Sequence, residues 1–134
     1  MKDNKLKIRI NKSVPEVFAF TTTPPNSKYW INSIIDEETN EWPIHVGTVY
    51  KLMSENGQQS EVVVASIKKN EIVEWVSRDN VYHCKYNFKA INENTTELKY
   101  YEWVDKGIID NPFTQDTLER LKLVLENFKK SSSS

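Results

Sequence analysis

Apolar positions along this chain change period three times. From Lys5 to Ile10 they alternate strictly, with Leu6, Ile8 and Ile10 on one face and Lys5, Lys7 and Arg9 on the other. That is the pattern of a half-buried strand. Ser13-Val14-Pro15-Glu16 then offers a capping box, with Ser13 as the N-cap and Glu16 at the third helical position. Val14, Val17, Phe18 and Thr21 follow at helical spacing, and Pro24-Pro25 must end that short helix. Asn26 is placed to cap a second short helix through Tyr29, Trp30 and Asn32.

From residue 34 the period returns to two. It predicts strands over Ile34–Glu41, Gly47–Ser54, Gln59–Lys68, Glu71–Ser77, Val81–Ile91 and Thr96–Val104. The connectors Glu55-Asn56-Gly57, Lys69-Asn70, Asp79-Asn80 and Asn92-Glu93-Asn94 carry turn chemistry. Links this short make successive strands antiparallel neighbours, a meander. The chain leaves the sheet through Asp105-Lys106-Gly107, and Asn111 with Pro112 predicts the start of a last helix reaching Lys130. Phe113, Thr117, Leu118, Leu121, Val124, Leu125 and Phe128 fall on one stripe of that helix. Asp116 and Glu119 lie near its start and Lys129 and Lys130 at its end, as the helix dipole prefers.

Composition narrows the class without naming an activity. The 134 residues are 38% hydrophobic and 11% aromatic, enough for one self-sufficient core. Residues 1–130 read as a single domain and 131–134, four serines, as a flexible tail. Eighteen Lys and Arg nearly cancel nineteen Asp and Glu, giving a formal charge of -1. A dedicated nucleic-acid binder would show a basic excess, so no nucleic-acid partner is expected. A mean hydropathy of -0.63 and the lack of a long apolar run argue against a membrane span. The lone Cys84 and the absence of an apolar leader predict a cytoplasmic protein. No spacing of Cys, His, Asp and Glu matches a zinc or calcium site, and no phosphate loop or nucleophile elbow is present, so neither metal nor cofactor is expected.

The order strand, two short helices, six strands and a long helix resembles the START-like (SRPBCC) superfamily. These are the helix-grip proteins that include the birch pollen allergen group and bacterial polyketide cyclase/dehydrase-type proteins. The resemblance is carried by Ser13-Val14-Pro15-Glu16-Val17-Phe18-Ala19-Phe20 and Pro24-Pro25-Asn26 leading to Trp30. Val46-Gly47-Thr48-Val49-Tyr50, Lys69-Asn70-Glu71-Ile72-Val73-Glu74-Trp75 and Leu118-Glu119-Arg120-Leu121-Lys122 complete it. It implies an α+β fold in which a seven-stranded antiparallel sheet wraps the C-terminal helix, with an apolar cavity between them. The superfamily holds lipid carriers, hormone receptors, cyclases, chaperone-ATPase activators and ribosome-associated toxins, so fold alone does not select a chemistry.

Pleat alternation assigns the faces. His83, Lys85, Asn87 and Lys89 share the outer face of their strand, which turns Tyr82, Cys84, Tyr86 and Phe88 inward. Leu98, Tyr100, Glu102 and Val104 turn inward from the next strand, and Val73, Trp75 and Ser77 from Glu71–Ser77. Residues 59–68 stay ambiguous, because Val62, Val63 and Val64 occupy both faces. With the implied cavity, the expected ligand-binding residues are Trp75, Tyr82, Tyr86, Phe88, Tyr100, Glu102, Leu121 and Leu125. The expected partner is a small hydrophobic molecule or lipid, bound by a monomer or weak homodimer.

Glu102 is the one candidate for acid–base work, since an inward carboxylate must be paired, hydrated or protonated. It either anchors a ligand or sits near an open strand end and reaches water. The tyrosines are equally readable as cavity hydrogen-bond donors or as core aromatics with satisfied hydroxyls. Trp30 reads as packing beside the short helices, and Trp103 as an outward sheet residue. Cys84 beside His83 is a poor dyad because neighbouring strand residues point to opposite faces. Three function classes remain: a ligand binder, a cyclase, dehydratase or hydrolase using Glu102 and a tyrosine, and a protein-interaction module with an exposed apolar patch.

Overall fold

Each alternating segment has one apolar face to hide, and the chain hides them all on one side of a single sheet. The computed structural model describes residues 2–109 and 112–127. In chain order it contains β1 (Asp3–Ile10), α1 (Val14–Thr22), one 3-10 turn (Asn26–Tyr29), β2 (Ile34–Thr39), β3 (Val49–Ser54) and β4 (Gln59–Lys68). Then follow β5 (Ile72–Ser77), β6 (Tyr82–Asn92), β7 (Thr95–Val104) and α2 (Gln115–Asn127). The seven strands form one curled antiparallel sheet in the order β1-β7-β6-β5-β4-β3-β2, so the fold is α+β. The meander runs from β2 to β7, and β1 returns to close against β7 with Leu6 opposite Tyr100 and Ile8 opposite Leu98.

Local signals explain most element boundaries. Ser13 Oγ accepts from the Glu16 N–H at 3.4 Å while the Ser13 N–H donates back to Glu16 Oε1, the reciprocal box that the sequence predicts. α1 stops at Thr22, ahead of Pro24-Pro25. The second short helix is only the 3-10 turn, and Asn26 is its first residue, not its cap. Asn26 Nδ2 instead donates to the Phe20 carbonyl at 3.2 Å, tying the turn to the end of α1.

Two register shifts alter the faces that alternation assigns. In β2 the pairing skips Ile35 between Ile34 and Asp36, and Glu37 is buried with Leu52 as its cross-strand partner. In β4 the shift falls between Val64 and Ser66. It resolves the ambiguous face: Val62, Val64 and Ile67 all pack onto the core.

The C-terminal helix departs most from the expectation. It spans the 13 residues Gln115–Asn127, not a helix starting at Pro112. Phe113 lies ahead of it, its N–H donating to Glu102 Oε2 at 2.9 Å and its carbonyl accepting from Asn4 Nδ2 at 2.8 Å. The proposed cap Asn111, together with Phe128, Lys129, Lys130 and the serine tail, lies outside the described residues. α2 lies along β1: Gln115 Nε2 donates to the Lys7 carbonyl at 3.1 Å and Lys122 Nζ to the Arg9 carbonyl at 2.9 Å. Leu118, Leu121 and Leu125 are buried in the same core as Ile8, Ile10, Phe18, Phe88 and Leu98. No helix among the described residues is long and apolar enough to cross a membrane.

The stripe makes a direct test possible on one helix. Leu121 is fully buried, whereas Leu123 is 65% exposed. Leu121→Ala is expected to cost about 2–5 kcal/mol in a urea titration, and Leu123→Ala no more than about 0.5 kcal/mol. Equal losses would mean that α2 is not docked through this stripe.

Candidate functional site

An apolar cavity of about 170 Å³ lies under the inner face of the sheet. Its floor is aromatic: Trp75 on β5, Tyr82 and Tyr86 on β6, Tyr100 on β7, and Phe113 ahead of α2. Tyr50, Leu52 and Val62 continue the wall along β3 and β4. The roof comes from Thr21 at the end of α1, Ser27 in the 3-10 turn, and Ile31 and Ser33 behind it, with Ile34 and Glu37 of β2 at the side. The rings meet mostly edge to face, Trp75 on Tyr86 at 5.0 Å and Tyr50 on Trp75 at 5.5 Å. Phe113 instead stacks flat on Tyr100 at 4.4 Å.

Of the predicted ligand-binding residues, Trp75, Tyr82, Tyr86 and Tyr100 are on this wall. Phe88, Leu121 and Leu125 are not: they are closely packed core residues, Phe88 lying edge to face on Phe18 at 5.2 Å. The cavity therefore opens between the sheet and the α1–β2 connection, and no residue of α2 contributes to it. The physical reason is the placement of α2 along β1, which fills that end of the inner face with leucine side chains. Trp30 packs as expected, buried against Phe113 at 5.7 Å. On the outer face Trp103 stacks on His83 at 4.7 Å, and His83 Nε2 contacts Asp105 Oδ2 at 2.9 Å, so His83 and Cys84 do not meet.

Glu102 does not reach water. It is 1% exposed, and its two oxygens receive three protons. Tyr82 Oη donates to Oε1 at 2.7 Å, while Asn4 Nδ2 and the Phe113 N–H donate to Oε2 at 2.8 and 2.9 Å. Because the Tyr82 proton is committed to Glu102, the 3.3 Å contact between the two phenols has Tyr100 as donor. Cys84 Sγ in turn points its proton at Tyr100 Oη, at 3.6 Å. The row Cys84, Tyr100, Tyr82, Glu102 is thus a one-way chain of donors ending on a saturated carboxylate. Desolvation, with smaller contributions from neighbouring Cys84 and Glu102, holds the Tyr82 phenol well above its ordinary range. Desolvation likewise pushes the Cys84 thiol up to about 12, which makes it a poor nucleophile.

A second buried carboxylate was not legible in the sequence. Alternation alone does not single out Glu37; the β2 bulge and burial at the cavity side do. Ser27 supplies both of its donors, the hydroxyl to Oε2 at 2.8 Å and the N–H to Oε1 at 3.3 Å. Desolvation raises the Glu37 pKa; the two Ser27 bonds oppose this, and the nearby Asp36 charge adds to it. Among the described residues no Lys, Arg or His pairs with Glu37. Nor does any group of three or more His, Cys, Asp and Glu among them form a metal site.

Two outcomes follow. Glu102→Gln keeps the shape but leaves one acceptor where there were two, so it is expected to cost roughly 1.5–3 kcal/mol in chemical denaturation; an unchanged midpoint would remove Glu102 from its structural role. For Glu37 the folded pKa lies above the ordinary value of 4.5. The stabilisation from its neutral form is complete below the unfolded value and is lost as pH rises through the folded one. The non-titrating Glu37→Gln should therefore gain stability relative to wild type as pH rises from about 4 to about 8. A difference independent of pH would contradict the raised pKa.

No family model matches the chain. No curated protein matches it by sequence. Solved structures do resemble it. The solution structure of the Aha1 dimer from Colwellia psychrerythraea aligns at a TM-score of 0.73 and 20% identity, over 95% of this chain and 98% of that one. The protein XoxI from Bacillus cereus aligns at a TM-score of 0.75 and 13% identity, over 95% and 97%. A conserved protein of unknown function from Enterococcus faecalis aligns at 0.73 and 16%, over 93% of this chain and 71% of that one. At these identities the likeness is one of fold: the chain shares its curled antiparallel sheet with these proteins.

Proposed function

We propose that this protein is a helix-grip protein of the START-like class that binds a small, mainly apolar molecule in the aromatic cavity. The observation that carries the reading is the cavity itself, an apolar space of about 170 Å³ bounded by five aromatic side chains of the inner face and the Phe113 segment. Engineered apolar cavities of about 150 Å³ take up benzene. The volume thus favours a ligand of about one ring over a whole lipid, whose chains would have to leave through the roof.

Proton transfer fits the site less well. Glu102 is saturated by three donors and is not on the cavity wall, and the phenols between it and the cavity resist ionisation. A cyclase-like reaction would need a group that can both gain and lose a proton at the ligand, and these phenols are held far from that condition. The interaction-module reading asks for a contiguous exposed apolar patch. Among the described residues the large exposed apolar side chains are Tyr29 in the 3-10 turn, Ile35 on β2, Trp42 and Val46 between β2 and β3, Ile91 on β6, Ile108 after β7, and Leu123 on α2. The Aha1 structure is that of a dimer; for this chain a weak homodimer is a proposal that sedimentation would test.

Titration with toluene, followed by amide chemical shifts, tests the binding reading. Shifts are expected to concentrate on β3 to β7 around the cavity. Val62→Phe, which adds a ring at the wall, should abolish them while leaving the melting temperature within a few degrees or raising it. Toluene binding that survives Val62→Phe, or no binding by the wild type, would overturn the proposal. Native mass spectrometry of freshly purified protein would identify a natural occupant.

A further inference from the structure

We infer that the cavity selects organic cations: a protonated amine on a single ring or short alkyl group, held by Glu37 among the aromatic faces. The inference rests on the cavity being a binding site and specifies the chemistry of what enters.

The first argument is the direction of the hydrogen bonds around the wall. Thr21 Oγ1 donates to the Val17 carbonyl at 2.9 Å, and Tyr50 Oη to the Thr22 carbonyl at 2.6 Å. Ser27 donates to Glu37, and the Cys84, Tyr100 and Tyr82 protons all point towards Glu102. The Trp75 indole N–H is buried without a hydrogen-bond partner. Among the described wall residues it and the hydroxyls of Ser33 and Tyr86 take no part in these bonds. The polar atoms of the wall therefore offer lone pairs and very few protons. A ligand rich in acceptors, such as a carboxylate or a diketone, finds little to bind; a donor-only group finds many acceptors.

The second argument is charge. Glu37 is buried, accepts only from Ser27, and has no cationic partner among the described residues. An ammonium group supplies the missing charge and up to three donors at once. An anion would instead set a second negative charge beside it. The third argument is the surface around that carboxylate. Trp75 meets Tyr50 at 5.5 Å and Tyr86 at 5.0 Å, both at steep angles, and all three rings line the space with Glu37. Aromatic faces with a carboxylate nearby are the setting in which desolvated organic cations are held. A neutral alcohol satisfies Glu37 as a hydrogen-bond acceptor but leaves its charge uncompensated, so it should bind more weakly.

The test uses one ring in four charge and donor states. Benzylammonium, benzyl alcohol, benzoate and toluene are titrated into the full chain at pH 7 by calorimetry or amide shifts. Benzylammonium is expected to bind about tenfold or more tighter than benzyl alcohol, and benzoate not measurably. In Glu37→Gln the advantage of benzylammonium over benzyl alcohol should fall to about twofold or less, with toluene binding retained. If wild type binds toluene or benzyl alcohol as tightly as benzylammonium, or Glu37→Gln keeps the preference, the inference is wrong and the apolar-binding reading survives. If none of the four probes binds, both fall. Should Glu37→Gln not fold, the wild-type series decides alone.

Discussion

A buried carboxylate with no counter-ion among the described residues is the constraint around which this structure is organised. Glu102 is almost wholly removed from water and is held by hydrogen bonds alone, from Asn4 on β1, Tyr82 on β6 and the backbone of Phe113. Burying a charge is tolerable only if donors replace its hydration. Those donors come from three distant parts of the chain, so none of the three can leave its place cheaply. The arrangement ties the edge strand to the sheet, fixes the Phe113 segment, and sets where α2 begins. Phe113 gives its N–H to Glu102 and accepts at its carbonyl from Asn4, two positions before α2 begins.

The same constraint reaches the cavity. With Phe113 anchored, its ring stacks on Tyr100 and meets Trp30 edge-on, closing one end of the space. With the Tyr82 proton spent on Glu102, the donors behind it line up in one direction. A residue outside the cavity thereby sets the donor direction of three side chains on its wall, Cys84, Tyr100 and Tyr82. Glu37 differs in kind. Its two bonds come from a single neighbour, Ser27, and its burial is less well compensated, which is why desolvation dominates its pKa. One carboxylate is a saturated structural centre and the other retains unmet demand, although both are glutamates on strands of one sheet.

Much of the fold was readable in the order of residues, because the signals concerned are local. Alternation in Lys5–Ile10, the reciprocal Ser13 and Glu16 pair, the Asn and Gly turns, and the leucine stripe of α2 each depend on neighbours a few positions away. The inward faces of β5, β6 and β7 followed from the same alternation, and with them Trp75, Tyr82, Tyr86 and Tyr100 on the cavity wall.

What the sequence by itself determined, then, is which residues alternate, where strands and helices start to form, and which side chains share a face. Tertiary structure alone decided the rest. The bulges that bring Glu37 inward and settle the face of β4 arise from pairing with other strands, and no short window records them. The seat of α2 along β1 placed Leu121 and Leu125 in packed core and moved the cavity towards the α1–β2 connection. The fate of Glu102 depended on Asn4 and Phe113, 98 and 11 positions away. A buried charge takes its meaning from whatever groups the whole fold brings within hydrogen-bond distance, and that distance is not written in sequence order.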